Sequence, residues 1–450
     1  MYGYQRQRNF KGATTANPAL NRRSFLKTSL TAGAAFAVIG VTGAEKPKTV
    51  RLGVIGTGAR GTGLMQTLHL FPGVEFVAVC DLVRERATNA ARLAEQKSGR
   101  LPEVYAGSES AWDRLVQRDD LDTVLIATPW NWHARMAVAA MRAGKYPGVE
   151  VPAAWTLKEC WELVRTSELT GIPCMMLENV CYFRNVMAVL RMVREGLFGK
   201  LLHFEGGYQH DCRFIAFTPD GKLTWRGEHL ARFNGNLYPT HPIGPAAQWM
   251  SIGRGDRFVS LTSVSTPALG MKEYAAQKFG RDHELARCDY AAGDINTTVL
   301  QTAQGWTVTL YFTITTPRPY DSILRLQGSK GIYSGTTNSI YLDTPAKSAE
   351  EWEAFTPYQQ KYEHPMWQAL GVEAEKSGGH GGAEYLMFHD FLKSVRAKTA
   401  APQDVYDAAD WSAIVPLSIA SVAKGGKPVE FPDFTRGRWK QRAPLGIYGP

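Results

Sequence analysis

An α/β fold in two parts is what this 450-residue sequence predicts: a doubly wound parallel sheet, then an α+β domain on a mostly antiparallel, open-faced sheet. Three observations carry that expectation. Strand and helix patterns alternate from 49 to 152. A glycine-rich turn closes the first strand, with an acid at the end of the second. Past Asn179 the alternation gives way to period-two segments.

The first strand, 50–55, runs into Gly56-Thr57-Gly58-Ala59-Arg60-Gly61. Gly56, Gly58 and Gly61 stand in G-x-G-x-x-G register. A second apolar strand, 74–80, ends at Asp81, twenty residues beyond the last glycine. Gly56 permits the tight turn, Gly58 lets the backbone approach a pyrophosphate, and Gly61 lets the next helix pack closely. The helix N-terminus offers free N–H groups to phosphates. Asp81 accepts from ribose hydroxyls and repels a 2′-phosphate, so the first part reads as a Rossmann domain for NAD rather than NADP.

Helices at 61–70 and 82–97 flank the second strand. A strand at 104–106, a helix at 112–117, a strand at 123–127, a helix at 133–143 and a strand at 148–151 follow, the last stopped by Pro152. Thr156 caps the next helix with Glu159 in a capping box, and Gly171 and Pro173 end it. A strand at 174–178 completes the unit. A helix near 186–195 then leads into a strand at 201–208. In 307–315, Val308, Leu310, Phe312 and Ile314 face one way, while Thr307, Thr309, Tyr311 and Thr313 face the other. That alternation predicts a sheet packed on one face and open on the other. Segments 259–264 and 323–327 read similarly. The open face is expected to roof the nucleotide site, and helices at 385–395 and 405–422 to return to the first domain.

Residues 1–44 stand apart. Asn21-Arg22-Arg23-Ser24-Phe25-Leu26-Lys27 has the twin-arginine pattern, and the apolar Ala/Gly stretch behind it is too short and small for a membrane span. Thr42-Gly43-Ala44 suits cleavage. The expectation is a twin-arginine signal peptide over 1–44, an NAD-binding domain over 45–180 and a substrate domain over 181–450, in a periplasmic or secreted protein. The leader holds six Lys/Arg and no acid; the remaining 45 basic and 42 acidic residues nearly balance. No nucleic-acid partner and no stable membrane anchor are therefore expected. The six cysteines show no C-x-x-C spacing, and neither disulfides nor a metal site are assigned to them.

Loops at the strand ends hold the candidate chemistry. Thr128-Pro129-Trp130-Asn131-Trp132-His133 follows a strand and opens a helix, where cofactor contacts belong. Glu150-Val151-Pro152 and Asn179 end the next strands on the same rim. In the second domain Gly206-Gly207-Tyr208-Gln209-His210-Asp211 is dense in polar groups. Between Gly235 and Pro242, Tyr238 and His241 lie three apart among prolines, which stiffen the segment. An imidazole there titrates near neutrality and can exchange a proton with a sugar hydroxyl. Arg226, Pro319-Tyr320 and Gly378-Gly379-His380-Gly381-Gly382 are further candidates.

These strings resemble the Gfo/Idh/MocA oxidoreductase superfamily over the mature chain and, more narrowly, glycoside hydrolase family 109, the NAD-dependent α-N-acetylgalactosaminidases. The narrower resemblance rests on Ala127 to His133, Glu150-Val151-Pro152-Ala153-Ala154, Met176 to Tyr182, Gly206 to Asp211, Tyr238-Pro239-Thr240-His241 and Gly379-His380-Gly381-Gly382. Superfamily dehydrogenases usually carry Glu-Lys-Pro at the strand end; Val151 takes the Lys position here, as in the hydrolase family. The family Asp beyond the Gly-His-Gly-Gly string is Glu384 here.

The resemblance implies cofactor contacts at Ala59, Arg60, Asp81, Trp130, Asn131, Trp132, His133, Glu150, Val151, Asn179 and Tyr238. It implies substrate contacts at Tyr208, Arg226, Tyr238, Pro239, Thr240, His241 and Tyr320. The implied reaction oxidises C3 of the sugar, removes the C2 proton, expels the C1 substituent, adds water and reduces C3 again. His241 would take the C3 hydroxyl proton, with Tyr208 and Tyr238 as candidates for proton transfer at C2 or the leaving group. This departs from the two-carboxylate route of most glycosidases. The expected partner is a small glycoside or glycan terminus, with a homo-oligomer formed through the second sheet. A net sugar or cyclitol oxidoreductase is the first alternative, against which Val151 speaks. A non-catalytic sugar- or nucleotide-binding protein is the second, against which Tyr238 and His241 speak.

Overall fold

Parallel strands alternate with helices through the first third of the computed structural model, which describes residues 48–344 and 351–449. Residues 1–44, expected to be a signal peptide, lie outside the described residues. The order runs β1 (Val50–Ile55), α1 (Ala59–Leu68), β2 (Val74–Asp81), α2 (Arg84–Ser98), β3 (Glu103–Ala106) and α3 (Ala111–Val116). It continues with β4 (Thr123–Ile126), α4 (His133–Arg142), β5 (Tyr146–Val149), α5 (Leu157–Thr170) and β6 (Met175–Met176). The six strands pair in the order β3-β2-β1-β4-β5-β6, all parallel. β1 and β4 are buried almost throughout, as a sheet covered on both faces requires.

The second part holds α6 (Arg184–Arg194), β7 (Leu201–Gln209), α7 (Trp225–Arg232), α8 (Thr240–Trp249), β8 (Phe258–Ser265), α9 (Gly270–Phe279) and α10 (Glu284–Arg287). Then come β9 (Asn296–Thr302), β10 (Thr307–Thr313), β11 (Arg325–Gly328), β12 (Gly331–Ser334), β13 (Ser339–Leu342) and β14 (Glu353–Ala354). The chain ends through α11 (Thr356–Lys361), α12 (Pro365–Ser377), α13 (Ala383–Ala397), α14 (Val405–Ala423) and β15 (Val429–Glu430). Nine strands form the second sheet, β14-β13-β12-β11-β7-β10-β9-β8-β15, antiparallel except for the parallel pair β7–β10.

One face of this sheet is covered. Gly206 of β7 meets Pro242 of α8, and the Ser263 N–H of β8 donates to Ser421 Oγ of α14 at 2.8 Å. The other face carries Thr262, Val264, Thr297, Val299, Thr309 and Tyr311, none of them buried. The expected period-two pattern in β10 holds over 307–312, where Val308, Leu310 and Phe312 are buried and Thr307, Thr309 and Tyr311 half-exposed, but Thr313, expected on the open face, is buried too. The last helices also touch the first sheet. Phe391 of α13 fills the space beside Gly148 of β5, and Ser412 Oγ of α14 accepts from the Ala153 N–H.

Several expectations need correction. The open face does not roof the nucleotide site: Tyr208, which lines the site, shares the face of Phe204 and Gly206 that packs on α8. The strand expected over 174–178 shrinks to Met175–Met176, because Glu178 accepts from the Val180 N–H and caps a short 3₁₀ turn. Ile323 and Leu324 turn with φ of +61° and +48°, so β11 starts only at Arg325. The stiffened Tyr238–His241 segment is the start of helix α8. Its prolines 239 and 242 sit where first-turn N–H groups have no helical partner, so they cost the helix nothing.

Candidate active site

The site begins at the switch point of the first sheet, between β1 and β4. Gly56 turns the chain with φ +89°, and a Cβ there would lie 2.5 Å from the Ala127 carbonyl oxygen. A Cβ on Gly61 would fall 1.8 Å from the Gly56 carbonyl oxygen, so only glycine lets α1 approach β1 this closely. Gly58 is the opposite case. Nothing lies within 4 Å of where its Cβ would stand, so the start of α1 opens onto space. That helix has no side-chain cap and no acid in its first turn. Free N–H groups at a positive dipole end suit a pyrophosphate. Asp81 is held beside them: Oδ2 accepts from the Thr57 N–H at 2.9 Å and Oδ1 from the Val83 N–H at 2.9 Å. Lone pairs remain on both oxygens for ribose hydroxyls.

Asn179 supplies a separate sign of a missing polar ligand. It is 1% exposed, and neither end of its amide has a hydrogen-bond partner among the described residues. An unsatisfied buried polar group costs ~1–3 kcal/mol, and the carboxamide of a nicotinamide is a group that would satisfy it. The residues present therefore fit NAD. Val151, 3% exposed, and the Glu150 carboxylate stand on the same rim. Arg60, second residue of α1, donates Nε–H to Glu150 Oε1 at 2.8 Å and pairs with Glu384 through Nη1. Burial opposes the Arg60 charge, but Glu150 and Glu384 outweigh it and raise its pKa. Burial likewise pushes the Glu384 carboxyl up, and the His380 hydrogen bond and the Arg60 charge overcome that to hold it below its ordinary range.

Facing this rim is a catalytic-type dyad. His241 Nδ1 lies 2.6 Å from Glu178 Oε1, with the carboxylate fully enclosed. With Glu178 ionised, Nδ1–H donates to it and Nε2 keeps a free lone pair, the tautomer a general base needs. Close packing makes the contact possible. A Cβ on Gly244, three residues along α8 from His241, would lie 2.8 Å from Cys181 Sγ and 3.0 Å from Glu178 Cγ. Gly206 plays the same part on the other side, where a Cβ would meet Pro242 at 2.9 Å. Two glycines thus let α8 settle between β7 and the end of β6.

Aromatic rings complete the wall. Tyr238 lies 4.9 Å from the His241 ring, edge-on, and 4.7 Å from Tyr208; Tyr208 lies 5.4 Å from His241. Burial raises the pKa of both phenols, while the Arg226 charge acts to lower them. Tyr320 stands further out, 6.4 Å from Tyr208 and 48% exposed, its phenol pushed up to about 12 by burial and then by Glu178. Behind them Trp130 stacks on Trp155 and meets Trp225, His229 and Tyr238. The Arg226 guanidinium covers this cluster, 4.9 Å from Trp130, 5.0 Å from Trp225 and 5.7 Å from Tyr238. Such stacking orients a cation at ~0.5–2 kcal/mol per contact.

The fold thus brings Tyr208, Arg226, Tyr238, His241 and Trp130 into one contiguous cluster, with Glu150, Val151 and Asn179 at the neighbouring strand ends. Other expected residues take different places. His133 is 1% exposed with its ring nitrogens 2.8 Å from the Pro152 oxygen and 2.7 Å from the Thr128 oxygen. Its side chain braces two loops and leaves no nitrogen for a ligand. Thr240 is completely buried in the first turn of α8, so its side chain is part of the packing beneath the site. Asn131 and Ala59 are exposed at the rim, and Trp132 lies half-buried under the Arg135 guanidinium. Pro239 is buried and starts α8. Sequence reasoning overlooked Glu178, Trp155, Trp225, His229 and Gly244. Glu178 had a signal, an acid at the end of a strand on the cofactor rim; the others had none. Among the described residues no cluster of three His, Cys, Asp or Glu side chains is placed to hold a metal.

Comparison with known proteins places this geometry. Residues 50–177 match the model for the NAD-binding Rossmann fold of the oxidoreductase family, and 182–441 match that for the glycosyl hydrolase 109 C-terminal domain. A glycosyl hydrolase family 109 protein 2 from Shewanella sp. (strain ANA-3) is 43% identical over 452 residues, covering 95% of this chain and 99% of its own. A family 109 protein from Solibacter usitatus (strain Ellin6076) is 42% identical over 437 residues, covering 94% and 99%. Levoglucosan dehydrogenase in complex with NADH shares the fold, with a TM-score of 0.65 at 21% identity over 86% of this chain and 100% of that one. The cofactor is NAD, and the chain belongs to glycosyl hydrolase family 109, as an NAD-dependent enzyme of the glycoside hydrolase type.

Proposed function

We propose that this enzyme hydrolyses terminal α-N-acetylgalactosaminides by oxidation, elimination, water addition and reduction, with no net redox change. The observation that carries this reading is Val151. It is buried on the cofactor rim where a net dehydrogenase of this fold would present a lysine ammonium, while the His241–Glu178 dyad stands ready as a base. Bound NAD supplies a hydride acceptor for C3 and returns the hydride at the end of the cycle.

The side chains do the rest. His241 Nε2 accepts the proton of the C3 hydroxyl, and Glu178 stabilises the imidazolium that forms. With C3 a ketone, the C2 proton is acidic, and a phenol of the Tyr208–Tyr238 pair can take it once ionised. Arg226, whose charge acts to lower both phenol pKa values, reduces the cost of that ionisation. Loss of the C2 proton expels the C1 substituent, and the other phenol, neutral because burial raises its pKa, protonates the leaving oxygen. Water then adds at C1 with protonation at C2. His241 returns its proton to the C3 oxygen. Arg226 and Tyr320 hold the sugar in this reading, supported by their nearness to Tyr238 and Tyr208.

Incubation of the purified protein with an aryl α-N-acetylgalactosaminide tests this, following aglycone release and the absorbance of reduced cofactor together. Release without accumulation of reduced cofactor is expected. Stoichiometric reduction without release would establish the net oxidoreductase instead. We further propose twin-arginine export to the periplasm or beyond, supported by Asn21 to Lys27, and pairing of subunits through the open sheet face, supported by Val264 at 51% and Val299 at 41% exposure. Cell fractionation of an R22K/R23K variant tests the first: retention in the cytoplasm is expected. Light scattering on a Val264→Lys, Val299→Lys variant tests the second: a monomeric variant from an oligomeric parent is expected.

A further inference from the structure

The turn before α13 has an unusual backbone. Gly378, Gly379, His380, Gly381 and Gly382 all have positive φ, from +35° to +93°. Such a run is favourable only for glycine, and His380 joins it at a cost. The turn is wrapped around one carboxylate: a Cβ on Gly379 would lie 2.5 Å from Glu384 Oε2, and His380 Nδ1 lies 2.7 Å from Glu384 Oε1. Glu384 is 4% exposed in its side chain, and besides His380 it has a partner far away in sequence, the Arg60 guanidinium in the first turn of α1. Arg60 is held from the other side by Glu150. One residue beyond Glu384, the Tyr385 ring stacks on Phe71 at 4.4 Å, just past the end of α1.

A buried acid beside a helix start suited to phosphates competes with that ligand for the positive end of the helix. Its presence needs a compensating role. It fastens a loop from the end of the chain onto the segment that holds the dinucleotide. We propose that Glu384 is a latch for the cofactor: through Arg60 it holds the 378–382 turn against the start of α1, and NAD leaves only when that ion pair opens. A cycle that ends where it began has no use for cofactor exchange, and loss of the dinucleotide midway would strand an oxidised sugar. The latch rests on the assignment of NAD to this site and, in that last respect, on the proposed hydrolytic cycle; Glu384 acts as a positioning residue.

Release of a fluorescent or labelled NAD, chased with excess unlabelled NAD, tests the proposal in the full-length protein, alongside the melting temperature of the nucleotide-free form. Glu384→Gln keeps the shape and removes the charge, and is expected to speed release by about tenfold or more, because loss of one member of a buried charge pair acts mainly on the off-rate. Glu384→Asp keeps the charge and should recover most of the retention. The melting temperature of the nucleotide-free E384Q protein should stay close to wild type. Equal release from wild type and a folded Glu384→Ala protein overturns the latch. So does an E384D protein that releases as fast as E384Q. A wild-type protein that retains no labelled NAD would instead overturn the cofactor assignment, and the latch with it.

Discussion

The two walls of the cleft are built from different materials. The nucleotide wall is mainly backbone: Gly56 and Gly61 shape it, Gly58 opens it, and the uncapped start of α1 offers its N–H groups. The opposite wall is side chain: His241 from α8, Glu178 from the end of β6, Tyr208 from β7 and Arg226 from α7. The turn, helix start and acid of the first wall are contiguous within Val50–Asp81, and Glu150, Val151 and Asn179 join them from later strand ends. The second gathers groups from positions 178 to 320. Cofactor binding can therefore be written as a local string, whereas the chemistry depends on how four elements pack.

His241→Ala should break the second wall most severely. A loss of about 10³-fold in kcat/KM is expected, the range for a general base, with NAD content unchanged. Steady-state kinetics beside nucleotide content checks this; a parallel loss of NAD would mean the walls are not independent. Gly61→Ala is the matching blow to the first wall. Its Cβ would fall 1.8 Å from a carbonyl oxygen, so the helix must move, costing roughly 3 kcal/mol or more by chemical denaturation.

Glu178→Gln should cost about 10²-fold in kcat, since His241 loses the acceptor that sets its tautomer, with little change in NAD affinity. Acid should also weaken the second part of the chain. Burial, then Arg191, pushes the His364 pKa down to about 4, and its Nδ1 accepts from the Met366 N–H at the start of α12. The unfolded chain takes up this proton near the ordinary value of 6.5, before the native state can. Stability therefore falls as pH drops from there toward about 4, by up to about 1.4 kcal/mol per pH unit. Urea titrations of wild type and His364→Asn across that range check it: the variant should show a shallower slope. Gly58→Ala gives the smallest effect. The site has room for the methyl, so folding is unchanged, but NAD affinity should fall by about tenfold because the methyl occupies the phosphate approach.

Legibility followed this division. Gly56, Gly58, Gly61 and Asp81 were readable with their individual duties, because the strand, turn, helix start and acid follow one another along the chain, although Gly56 also packs against Ala127. The period-two signal of β10 was readable because its alternation is a one-dimensional consequence of having one face buried. Tyr208, Arg226 and His241 were singled out by the density of polar and rigid residues around them and by family resemblance. Glu178 escaped notice, since nothing near it in sequence says that His241 will lie 2.6 Å away. The packing of the His133 ring was not readable, because a histidine beside two tryptophans looks the same whether its nitrogens meet a ligand or two carbonyl oxygens.

Sequence alone determined the doubly wound first sheet, the NAD turn, the one-sided second sheet and the valine at the lysine position. These follow from local backbone geometry, hydrophobic periodicity and residue identity, which need no knowledge of distant partners. Tertiary structure decided which face of the second sheet meets the site, which acid orients His241, and which carboxylate fastens the end of the chain to α1. Those answers depend on contacts bridging 63 and 324 residues, set by close approaches at Gly244, Gly206 and Gly379 that have meaning only once the elements are packed.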